Sequence, residues 1–167
     1  MSIGNSPEPW LRGPIEGVHP LVMPVFFSFA QVREDLAKYA AGLSDEALWR
    51  EIDGASLGFH LKHMAESVDR LTTYLMGGQL SPKQFEALKR ESEPQGSAGE
   101  LLAFMDEQLV RSEKQLRQLD PATLYDSRRV GRRALPTTVL GLIVHLCEHT
   151  QRHLGQAITL AKMLRQH

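Results

Sequence analysis

Apolar residues recur at helical spacing in four long stretches of the chain. The first runs from His19 to Tyr39, where Leu21, Val22, Val25, Phe26, Phe29, Val32 and Leu36 share a face. Pro20 and Pro24 suit its first turns, and Gly42 suits its end. The second, Ser56 to Met76, carries Leu57, Leu61, Met64, Val68, Leu71 and Leu75 and stops at Gly77-Gly78. The third, Ser97 to Leu119, carries Leu101, Leu102, Met105, Leu109 and Leu116, and Asp120-Pro121 stops it. The fourth runs from Thr137 to Arg165. Two short helices are expected between them. One is Ser44–Trp49 with Ser44 as N-cap, and the other starts at Ser81 with Pro82 in the first position.

The remaining segments read as connections. Met1 to Gly17 is rich in Pro and Gly and reads as an extended arm, with Trp10 as the residue to pin it to the domain formed by residues 18–167. Glu91 to Gly99 is a polar loop, and Leu124 to Pro136 is an arginine-rich connection. The pattern shows no strand pair and no repeat. The expected fold is therefore all-α, an antiparallel four-helix bundle.

Composition narrows the function classes. Among 167 residues, 19 Lys and Arg face 20 Asp and Glu, without the basic excess usual in a nucleic-acid-binding domain. A single cysteine precludes an internal disulfide and fits a reducing compartment. The N-terminus lacks a signal-like apolar core, and no apolar run approaches a membrane span. These features predict a soluble cytoplasmic protein that binds neither nucleic acid nor membrane.

Candidate chemistry centres on histidine. The fourth helix places His145, His149 and His153 four residues apart, so that successive rings lie one turn apart on one side. Such i, i+4 pairs can grip one metal ion without moving the backbone. At about 100° per residue and with His149 at zero, the apolar arc runs from Leu142 and Leu160 near about 20° to Ile158 near about 180°. His153 falls inside this arc, at about 40°, and His149 falls at its rim. His145, at about −40°, lies outside beside Glu148 and Arg152. Cys147 lies on another face and reads as a small buried side chain. A third ligand from elsewhere is required.

The second helix offers two histidines, His60 and His63. Periodicity slightly favours His60 as the inward one, with His63 at the rim of the arc. A rim position also suits a catalytic metal, which keeps one side open. The histidine that does not ligate would take a supporting or surface role.

Two stretches carry a family resemblance. Ser56-x-x-Phe59-x-Leu61-x-His63-Met64-Ala65 and His145-x-x-x-His149-x-x-x-His153-x-Gly155-Gln156 resemble motifs of the DinB/YfiT-like proteins. That resemblance implies a bundle binding one divalent metal through His63, His149 and His153, with His60 and His145 as supporting or alternate residues. It also implies a homodimer and, in some members, transfer or isomerisation chemistry that uses a small cellular thiol. Leu154 stands where the family commonly has arginine, and Arg152 where it often has a further histidine. Imidazole ligands suit zinc, nickel, iron and copper alike, so ligand type alone does not select the ion. Zinc or nickel is the expected cofactor, with iron or manganese as further candidates. Two functions are expected from such a site. One is a metal-dependent transferase or hydrolase that activates a small thiol or water toward an electrophile, and the other is a non-catalytic metal-binding or stress-associated dimer.

No residue is assigned as catalytic. Glu66, one turn after His63, points away from the apolar arc and reads as a solvated carboxylate, as does Glu148. Arg128, Arg129, Arg132 and Arg133 read as a solvated loop that could also hold an anion. Tyr74 and Tyr125 are candidates for a pocket wall or for the core.

Overall fold

A computed structural model describes residues 6–165. Six α-helices occur among them: α1 Met23–Tyr39, α2 Asp45–Trp49, α3 Leu57–Leu75, α4 Pro82–Lys89, α5 Ala98–Leu116 and α6 Val139–Leu164. Their starts follow from capping side chains. Ser44, Ser56, Ser81, Ser97 and Thr138 each accept a hydrogen bond from a backbone N–H in the first turn that has no partner in the helix. Ser81 with Gln84 and Ser97 with Glu100 form reciprocal capping boxes. The first helix begins later than its apolar pattern, because residues 19–22 form a turn that leads into it.

The four long helices α1, α3, α5 and α6 close into a bundle. Helix α3 packs against α6 and α5, and α1 packs against the same two, so α1 and α3 sit on opposite corners. Phe29, Leu57, Leu61, Met64, Leu109, Ile143 and Leu146 fill the centre and are fully buried. Trp49 of α2 lies flat on α3. A Cβ added at Gly58 would stand 2.7 Å from the Trp49 ring, so only glycine admits this contact.

Three expectations fail. Residues Ser127–Val130 and Leu135–Thr138 form an antiparallel hairpin, β1 and β2, where no strand pair was expected. Strands of four residues are too short to show a period of two, and Pro136 is tolerated because a two-stranded sheet has only edges. Trp10 does not pin the arm: it is 60% exposed, and among the described residues its indole N–H bonds to nearby Glu8 alone. Pro9 is the buried residue there, and a bidentate ion pair between Arg12 and Glu34 ties the arm to α1. Tyr125 is neither core nor pocket wall, being 75% exposed.

Candidate metal centre

The seam between α3 and α6 brings His63, His149 and His153 together. One ring nitrogen from each lies within 4.8 Å of the other two. His63 Nε2 is 3.2 Å from His149 Nε2. Ring centroids are 4.3 Å apart for His63 and His153 and 4.7 Å for His149 and His153. The latter pair is set by one helical turn, and the former by the close packing of the two helices. Phe59 stacks on the His63 ring at 5.4 Å and limits its rotation.

Protonation favours ligation. Burial first, then the neighbouring His63, lowers the pKa of His149 and of His153 to about 4. Both rings are therefore neutral near pH 7, the form that donates a lone pair to a metal. Two nitrogens bound to one tetrahedral ion at about 2.0–2.1 Å stand about 3.3 Å apart. The observed 3.2 Å between His63 and His149 matches that span. The Nδ1 atoms of His63 and His149 are sealed from solvent and have no hydrogen-bond partner. The donor set, its spacing and the neutral state of His149 and His153 fit one divalent ion.

The other two histidines lie outside this group. His60 is only 4% exposed, as its wheel position suggested, and its Nδ1 lies 2.9 Å from His153 Nδ1. It contacts one member of the cluster, His153, without joining the group of three. His145 is exposed and pairs with Glu148 at 2.6 Å, while Glu148 also pairs with Arg152.

Helix α3 also carries a buried ionic cluster that periodicity misses. Glu66 is only 8% exposed, which corrects the expectation of a solvated carboxylate. Lys62 and Arg70, four residues to either side, are buried with it, as is Glu91 from the segment after α4. Arg70 reaches Glu91 at 2.7 Å and Glu66 at 3.4 Å. Glu91 Oε2 lies 2.9 Å from His63 Nδ1, off the N–H axis, so the contact is electrostatic rather than a hydrogen bond. Burial and the Glu91 charge push the Glu66 pKa up. Burial acts in the same direction on Glu91, but the adjacent His63 ring and the hydrogen bond and charge of Arg70 outweigh it and hold its pKa below the ordinary value. Sequence reading assigned Glu91 to a polar loop and missed it. The available signal was the complementary Lys62-Glu66-Arg70 ladder at i, i+4, which marks a polar face able to be covered.

Beside the cluster, a cleft of about 220 Å³ is lined by His63, His145, His149, Ser67, Arg70, Tyr74 and three leucines, Leu71, Leu80 and Leu88. The other candidates lie elsewhere. Arg128 donates to the Leu75 carbonyl at the end of α3, and Arg129 to the Ala134 carbonyl. Arg132 covers the Phe85 ring. Cys147 is partly buried, its thiol pushed up to about 11 by burial, and it lines a separate cavity with Trp10 and Phe27.

The DinB superfamily model matches residues 28–157, well over half of the sequence. The chain belongs to the DinB superfamily. No curated protein matches it. Leu154 is a buried core residue, and Arg152 is an exposed partner of Glu148.

Proposed function

We propose that this superfamily member is a metal-dependent transferase or hydrolase whose divalent ion is held by His63, His149 and His153. The observation that carries the reading is the convergence of three imidazoles beside an open cleft that two of them line. An ion in this position supplies Lewis acidity and lowers the pKa of a bound thiol or water, giving a nucleophile at neutral pH. Three neutral ligands leave its charge uncompensated, which favours an anionic thiolate or hydroxide. Zinc or nickel suits the imidazole set, with iron or manganese as further candidates.

The remaining side chains shape access. Leu71, Leu80, Leu88 and Tyr74 wall the cleft and limit water around the reacting groups. Its volume of about 220 Å³ lies below the range of about 300–1,000 Å³ that takes drug-sized ligands, so the substrate is small. Ser67 Oγ, 3.4 Å from His63 Nε2, supplies a hydroxyl at the floor. A small cellular thiol and a small electrophile are the proposed reactants. We further read the protein as a cytoplasmic homodimer in which residues 18–167 form one domain behind the N-terminal arm.

The test is metal analysis of the purified protein beside a His149→Ala/His153→Ala variant, followed by a metal-loaded screen of thiols with generic electrophiles that reads loss of free thiol. Metal in the wild type alone, with thiol consumed only by the loaded protein, supports the reading. Full metal content in the variant overturns the site. Metal binding without consumption of any thiol leaves the non-catalytic metal-binding role in its place.

A further inference from the structure

We propose that Glu91 is a positioning residue for this centre: held by Arg70, its carboxylate keeps the His63 proton on Nδ1 and so presents Nε2 as the ligand atom. The inference rests on the metal-binding reading above and adds to it a residue from outside the two histidine helices.

Four contacts deliver the carboxylate. Lys62, adjacent to His63 in the chain, donates from Nζ to the carbonyls of Arg90 at 2.7 Å and Glu93 at 3.2 Å. These two carbonyls flank Glu91, so one lysine clamps the backbone on both sides of it. Arg70 then fixes the side chain, donating to Glu91 Oε1 at 2.7 Å, and leaves Oε2 facing His63 Nδ1 at 2.9 Å. Lys62, Arg70 and Glu91 are all buried, so water does not compete strongly for these contacts.

The chemistry explains the need. A neutral imidazole carries one ring proton, and the partner of one nitrogen decides which nitrogen is left to bind metal. His63 Nδ1 is sealed from solvent and has no other acceptor, so Glu91 is the group that can claim its proton. A hydrogen bond there requires only that the ring tilt toward Oε2, within the limits the Phe59 stack sets. The opposite nitrogen, Nε2, already faces His149. Carboxylate support of this kind orients a ligating histidine and raises its basicity.

The test uses Glu91→Ala and Glu91→Gln in the full chain, with zinc as the probe. Zinc affinity by chelator competition is expected to fall about ten- to a hundredfold in Glu91→Ala. The Gln variant, which keeps an acceptor oxygen and more of the packing, should fall less. Ring-nitrogen NMR of the zinc-loaded wild type should show His63 protonated on Nδ1 and protected from exchange, and Glu91→Ala should lose that protection. Circular dichroism checks folding, and Gln serves for the comparison if Ala does not fold. A folded variant that binds zinc within about twofold of wild type overturns the proposal. So does weaker binding with an unchanged His63 ring signal, which would mark a purely structural role. A wild type that binds no zinc overturns both this inference and the functional reading beneath it, whereas zinc binding matched by the Glu91 variants sinks this inference alone.

Discussion

His63 on α3 and His149 on α6 face each other through their Nε2 atoms at 3.2 Å, across the seam between the two helices. An ion shared there cross-links the elements that build the core, and it binds the folded chain far better than the unfolded one. Stability should therefore rise with metal concentration, by about 2.7 kcal/mol when the free ion is a hundredfold above its dissociation constant. Thermal melts with added zinc or nickel should shift upward, chelator should reverse the shift, and His149→Ala/His153→Ala should show none. A wild-type midpoint indifferent to every divalent ion would count against the site.

The same histidines set an acid limit for the metal-free protein. Their folded pKa values are lowered to about 4, chiefly by burial, from an ordinary value of 6.5. The unfolded chain thus binds more protons than the folded one through this window, and stability rises with pH there. This contribution is complete above about 6.5 and is lost as pH falls toward about 4. The raised Glu66 acts with the opposite sign, since acid favours its buried neutral form. Urea midpoints in chelator should decrease on acidification across this range, and more steeply for wild type than for His149→Ala/His153→Ala. Equal slopes in the two proteins would refute the assignment.

Four helices were legible in the sequence because each buries one apolar stripe, and a stripe is what periodicity detects. The His149 and His153 pair was legible for the same reason, as a polar interruption at the edge of a stripe. His60 shows the limit of the method. A helical wheel gives an angle and not a position along the axis, so an inward histidine need not join the cluster, and His60 contacts His153 without entering the group of three. Glu66, which shares its face with Lys62 and Arg70, was misread for another reason. That face is polar, and the chain after α4 folds back over it and helps to bury it. Glu91 sits in that segment, where no periodic pattern exists to mark it.

Gly58 is the point where α3 admits the Trp49 ring, and the Trp49 indole N–H then donates to the Gly96 carbonyl at 2.9 Å. Gly58→Ala would gain helix propensity but drive a methyl to 2.7 Å from the ring. Overpacking of this kind costs about 1–3 kcal/mol, which exceeds the propensity gain of about 1 kcal/mol. The variant should be destabilised, with a lower midpoint in thermal or urea unfolding. Trp49→Ala should relieve the clash, so the two changes together should cost less than their sum. An alanine variant as stable as wild type would show that the indole moves aside freely.

His145 separates proximity in sequence from membership of the site. It lies one turn before His149 at the same spacing that relates His149 to His153, yet its ring is exposed and bonded to Glu148. Exposed pairs of this kind contribute about 0–1 kcal/mol, so losing it should leave the fold almost unchanged. His145→Ala should retain full metal content and an affinity within about twofold of wild type, while His149→Ala loses both. Metal analysis and chelator competition on the two single variants make the comparison directly. Should His145→Ala release the ion while His149→Ala holds it, the ligand pair on α6 would have to be moved one turn toward the N-terminus.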